Sequence, residues 1–214
     1  VRKGDEIMVL PSLKKSRIKS IVTMDEELEL AHAEMAITLT LEDEVDVSRG
    51  DMIVHRDNLP TITEDFDAIV VWMTDAAMLP GKLYDFKLGS KTVSGRVNAL
   101  KYQIDVNSLE EKPAPGLELN EIGLCEISVD QPVCIDSYDK NRSTGAFIVI
   151  DRLTNVTVAA GMINLESAAA RRRKARSSAT HVTREERAAR YGQKPATIMF
   201  IGVSGAGKST LAHG

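Results

Sequence analysis

Between residues 7 and 163 the apolar positions fall in short runs broken by turn residues. Residues 7–10, 17–23, 35–41 and 52–54 are rich in β-branched and aliphatic side chains. Gly4-Asp5, Pro11-Ser12 and Arg49-Gly50-Asp51 punctuate them, so they read as strands making the larger part of a small barrel. The polar residues 55–64, with Pro60 inside, read as the junction to a second domain. Residues 66–73 are apolar on both faces, the pattern of a strand buried between layers. In residues 100–106 Leu100, Tyr102, Ile104 and Val106 share one face and Lys101, Gln103 and Asp105 the other, which predicts a barrel wall with a wet outside. Pro113-Ala114-Pro115-Gly116 marks a turn. Strands are then expected at 123–129, 147–150 and 156–163, the last two joined through residues 151–155 as a hairpin. Many short strands without helices between them predict a mainly β fold of antiparallel barrels or sandwiches.

From Asn164 the pattern changes. Ala168-Ala169-Ala170-Arg171-Arg172-Arg173-Lys174 favours a solvated helix or linker. Thr183 and Glu186 fit a capping box, Gly192 supplies a left-handed stop and Pro195 prevents continuation, so a short helix is predicted over 184–191. Residues 197–201 then read as a buried strand. It runs into Gly202-Val203-Ser204-Gly205-Ala206-Gly207-Lys208-Ser209, which matches G-x-x-x-x-G-K-[ST] at every fixed position, between a strand and a helix as that motif requires. The glycines let the backbone curl so that its N–H groups surround phosphate oxygens, and the following helix adds its positive end. Lys208 is expected to contact the β and γ phosphates, and the Ser209 hydroxyl to ligate Mg²⁺.

Composition narrows the classes. With 214 residues, 43% hydrophobic and 27% charged, the chain can bury one or two cores, and no apolar run reaches the roughly 18 residues of a membrane span. A cytoplasmic protein without a membrane partner is expected. The net charge of −4 is unevenly placed: residues 166–194 hold nine Lys or Arg against three Glu, leaving 18 basic and 28 acidic residues elsewhere. Barrels carrying that acidic excess are not expected to bind nucleic acid. Cys125 and Cys134 read as small core residues, His32, His55, His181 and His213 lack ligand spacing, and Trp72 and Tyr84 read as packing residues.

The motif alone does not name a reaction, since GTPases, ATPases and small-molecule kinases share it. Residues 184–197 followed by 202–210 resemble the entry of adenylylsulfate kinase, with Ile201 where that family usually has Thr and Val203 where it often has Leu. Residues 3–12 and 16–21 resemble the second domain of the GTPase subunit of bacterial sulfate adenylyltransferase, with Leu13 where the family usually has Gly. Ala31-His32-Ala33, residues 48–53 and Asn120-Glu121-Ile122-Gly123 add to the likeness.

The resemblance implies a piece of the bifunctional sulfate-activating enzyme. Its parent makes adenylylsulfate from ATP and sulfate, coupled to GTP hydrolysis, and then phosphorylates the 3′-hydroxyl of that product. The expected layout is an elongation-factor-like barrel domain 2 in part (1–57), a barrel domain 3 (64–165), a basic helical linker (166–195) and a truncated P-loop βα unit (196–214). ATP and Mg²⁺ are the implied ligands of residues 202–209. GTP belongs to a preceding domain whose N-K-x-D and D-x-x-G signatures do not occur in this chain. The implied partners are the small catalytic subunit of sulfate adenylyltransferase and adenylylsulfate as substrate, and the piece alone is expected to be inactive. An alternative is an elongation-factor-like barrel module that binds RNA or protein.

Overall fold

The computed structural model describes residues 1–24 and 26–165, all within one compact unit. Glu6–Leu10 (β1) and Lys14–Val22 (β2) form an antiparallel hairpin with Glu6 opposite Arg17 and Val9 opposite Lys14. At its turn the Ser12 hydroxyl donates to the Val9 carbonyl at 3.2 Å, and Leu13 sits in the left-handed region at φ 60. The far half of β2 serves other partners, Glu27–Leu28 (β3) and Thr38–Leu41 (β4), while Met52–His55 (β5) pairs with β1. The order is β3-β2-β1-β5 with β4 on β2. Among the described residues no ladder joins β5 back to β3 or β4, so this sheet is an open half-barrel. Ile7, Val9, Ile18, Ile21 and Ala31 form its core, edged by half-buried Met35, Ile37 and Leu39.

The second sheet closes. Thr61–Trp72 (β6), Leu83–Leu88 (β7), Lys91–Ile104 (β8), Glu111–Lys112 (β9), Ile122–Ile135 (β10), Ala146–Ile150 (β11) and Thr157–Asn164 (β12) lie in the order β10-β6-β12-β11-β7-β8-β9. A further ladder between β10 and β8 completes a six-stranded antiparallel barrel, with β9 as a short flap on β8. Closure removes the unpaired edges that an open sheet exposes. Alternate residues of β6, namely Phe66, Ala68, Val70 and Trp72, point inward to Phe86, Ile127, Val149 and Ile163. Phe147 packs edge-on to Phe66 at 5.7 Å, and Trp72 edge-on to Tyr84 at 5.8 Å, the geometry aromatic quadrupoles favour. Gly95 lies where β8 crosses β10 so closely that a Cβ there would sit 2.5 Å from the Ser128 carbonyl oxygen. Only glycine fits.

The fold is mainly β, as expected, but several elements differ from their sequence reading. β2 begins three residues earlier than 17–23, because its first residues, Lys14 and Lys15, are charged and face solvent, outside the apolar pattern. Residues 35–37 lie outside β4 yet lend Met35 and Ile37 to the core. β6 starts at Thr61, so the junction read at 55–64 shrinks to the residues between β5 and β6. β7 and the first half of β8 stand where no strand was expected, although Tyr84, Phe86 and Leu88 alternate cleanly inward. β10 runs on past Val129 through Pro132, which is tolerated because the ladder to β6 breaks between Ser128 and Val133.

The wet-outside reading of 100–106 is also corrected. β8 ends at Ile104, and residues 99–104 are half-buried on both faces. The ladder to β10 shifts twice, skipping Asn98 and Lys101. Each extra residue is a bulge that reverses the inside-outside alternation. The second one brings the Lys101 ammonium to 2.6 Å from the carboxylate of Asp67, which is 0% exposed. The helix predicted at 184–191, the basic linker and the P-loop lie outside the described residues.

Candidate functional site

The residues read as phosphate-binding, Gly202, Val203, Ser204, Gly205, Ala206, Gly207, Lys208 and Ser209, lie outside the described residues. Among the clefts of the described part, one polar cleft lies at the junction of the two sheets and one on the half-barrel.

At the junction the turn before β5 is held by Ser48, whose N–H donates to Asp51 Oδ2 at 2.9 Å, and by Gly50 at φ 98. A Cβ on Gly50 would stand 3.0 Å from the Cβ of Lys91, so the first sheet rests against the start of β8 at this point. Lys91 reaches across to donate to the Pro132 carbonyl at 2.7 Å. A cavity of about 160 Å³ remains between Gly50, Met52, Lys91, Cys134 and Thr144. Cys134 was read as a core residue, yet it is only half-buried and lines this cleft. Burial pushes its thiol pKa up, the nearby Lys91 ammonium pulls it back, and Asp51 adds to the rise. A thiol held protonated is no nucleophile. Cys125, inside the barrel, is pushed up to about 12 by burial and then by Asp67.

On the half-barrel, Glu6 is shared by Arg17, at 3.1 Å to Oε1, and Arg56, at 3.3 Å to Oε2. Ser16 donates to Asp43 at 3.0 Å beside them, and the groove between these groups encloses about 340 Å³. All three members of the Glu6 cluster are half-exposed, where an ion pair contributes on the order of 0–1 kcal/mol.

Asp105 and Asp151 are held well below the usual carboxylate range, first by the ammonium of Lys112 or Lys82 and then by loop amides. Among the described residues no set of three His, Cys, Asp or Glu could hold a metal, and no helix is long and apolar enough to cross a membrane. Sequence reading passed over Glu6, Arg17, Arg56 and Lys91. A cluster made by two strands and the turn after a third has no local spacing, so only the pairing registers reveal it.

Residues 65–164 match the family described as GTP-eEF1A C-terminal domain-like. The whole chain aligns at 50% identity with 34% of the length of the bifunctional enzyme CysN/CysC of Rhodopirellula baltica. Sulfate adenylyltransferase subunit 1 of Shewanella woodyi is 55% identical over 163 residues, covering 76% of this chain and 35% of that one. This chain thus spans about a third of the length of these relatives. Among solved structures, Sup35 complexed with GDP shares the fold at TM-score 0.68 and 18% identity, covering 76% of this chain and 40% of its own. The apo form of translation elongation factor SelB from Methanococcus maripaludis does so at TM-score 0.61 and 18% identity, covering 77% of this chain and 36% of its own.

Proposed function

We propose that this chain, similar to sulfate adenylyltransferase subunit 1 and to the bifunctional CysN/CysC enzyme, serves in a two-step sulfate-activating transferase. One observation carries the reading. The subunit 1 relative aligns with 76% of the chain, whereas the bifunctional relative aligns with all of it, including the stretch that bears the P-loop sequence.

In this reading the half-barrel and barrel are braces. The approach of Gly50 to Lys91 joins the two sheets, and the Glu6 cluster offers charge to a neighbouring GTP-binding domain and to a small catalytic subunit, where sulfate displaces pyrophosphate from ATP to give adenylylsulfate. The domain divisions 1–57, 64–165, 166–195 and 196–214 belong to the same proposal, as does a cytoplasmic location. The backbone amides of residues 202–207 cradle the phosphates of a second ATP. Lys208 neutralises charge building on the β and γ phosphates, and Ser209 helps hold Mg²⁺. The 3′-hydroxyl of adenylylsulfate then accepts the γ-phosphoryl group.

The test is Lys208→Ala in the longer protein of which this sequence is taken to be a part, assayed with its small catalytic subunit. Phosphorylation of adenylylsulfate should fall at least 100-fold while adenylylsulfate formation stays within about two-fold of the parent, the scale of losing one transition-state charge contact. Equal loss of both steps would reject the assignment of the P-loop to the second step.

A further inference from the structure

The barrel end opposite the chain's exit from β12 holds a third cavity, of about 420 Å³, that the sulfate-activation reading does not use. Trp72, at the end of β6, and Tyr84, near the start of β7, stand in its wall. Thr74, Lys82, Asp151 and Thr154 complete the polar part, and Val156 and Val158 add apolar surface. Leu153 stands at its mouth, 89% exposed.

The hydrogen-bond inventory of this lining is lopsided. Both carboxylate oxygens of Asp151 are engaged: Oδ2 accepts from Lys82 Nζ at 2.7 Å, and Oδ1 accepts from the Leu153 and Thr154 amides at 3.0 and 3.1 Å and the Thr154 hydroxyl at 3.2 Å. The Trp72 indole N–H donates to the Ala76 carbonyl at 2.6 Å. The Tyr84 hydroxyl, on a side chain 1% exposed, makes no hydrogen bond with any described residue, nor does that of Thr74. Lys82 spends one of its three N–H groups on Asp151, and its ammonium lies 5.2 Å from the Tyr84 ring centre. The two free hydroxyls can each donate or accept, whereas the remaining Lys82 N–H groups can only donate, so the balance favours an acceptor, beside two aromatic rings and two valines. A buried hydroxyl without a partner carries a desolvation cost that a bound acceptor relieves. A pocket of this size, mostly apolar with a few convergent polar groups, has the make-up of a small-molecule site.

We infer that this barrel-end cavity binds a small aromatic or branched apolar molecule bearing a carbonyl or carboxylate oxygen, which accepts from Tyr84 and Lys82 while its apolar body lies against Trp72. This inference does not depend on the sulfate-activation reading.

Trp72 is the chain's one tryptophan, so its emission reports the cavity directly. The full chain is titrated with phenylacetate and, separately, with 2-phenylethylamine, which has the same ring but a cationic donor in place of the acceptor. Phenylacetate should change Trp72 emission saturably with a Kd of about 1 mM, the scale open to a ligand of ten heavy atoms. The amine should bind at least ten-fold more weakly. Tyr84→Phe should weaken phenylacetate roughly three- to ten-fold while leaving the thermal midpoint unchanged or higher, because only an unpartnered hydroxyl is lost. Absence of a saturable response to phenylacetate, equal response to both probes, or undiminished binding by Tyr84→Phe would overturn the inference. A fall of several degrees in the variant's midpoint would do so too, by showing that the hydroxyl has a partner within the fold.

Discussion

Leu13 is the residue most at odds with its backbone. At φ 60 its Cβ crowds the following carbonyl, a conformation costing an L-residue roughly 1–2 kcal/mol. The side chain is 55% exposed, so little packing repays that cost. Glycine there would relieve the strain but lose about 0.4–1 kcal/mol through a freer unfolded chain. Leu13→Gly is therefore expected to stabilise the protein by about 0.5–1 kcal/mol, read as a rise in the urea midpoint at unchanged slope. A lower midpoint would mean that Leu13 is held by contacts worth more than its strain.

At the scale of elements, two loops at the barrel's margins are organised by aspartates. Asp105 accepts from the Asn107 and Ser108 amides at 2.9 and 3.1 Å and from Lys112 Nζ at 2.7 Å. Asp151 does the same for the β11–β12 hairpin with Leu153, Thr154 and Lys82. Both carboxyls are depressed in the folded state, the lysine contact being the largest cause. In the unfolded chain they titrate near about 4. Their contribution is thus complete above that value and is lost as pH falls through it toward the lower folded values. Urea midpoints measured from neutral pH down to acid should decline below about pH 4, and Asp105→Asn with Asp151→Asn should flatten that decline. An unchanged slope in the double variant would place the acid sensitivity elsewhere.

For the molecule as a whole, the two cores share no residue. One is built within the half-barrel and the other within the closed barrel. Barrel closure also means that the second sheet needs no strand from the first. A chain of residues 60–165 is therefore expected to fold alone, melting cooperatively with Trp72 still emitting from an apolar site. Starting it at residue 64 would remove Thr61, Ile62 and Thr63, the partners of Ile135, Cys134 and Val133, and should lower its midpoint. Non-cooperative melting of the 60–165 chain would show that the contact at Gly50 and Lys91 supports the barrel rather than merely joining it.

The fold class, the strands of strongest β pattern and the hairpin at Asp151 were legible in the sequence. Alternation and turn chemistry act over a few residues, and Asn155 in the left-handed region at φ 56 closes that hairpin as the turn residues predict. The P-loop reading rests on an equally local pattern, because a phosphate cradle needs consecutive amides, and its residues lie outside the described ones. Tertiary structure decided the rest. Closure of one sheet and not the other depends on which strand ends meet. The place of Lys101 depends on bulges that only the β8–β10 ladder defines. The junction cleft and the barrel-end cavity join residues from loops far apart in the chain, such as Lys82 with Asp151 and Gly50 with Lys91. Pairing register is set by the packing of both faces at once, and that is a property of the assembled sheet rather than of any run of residues within it.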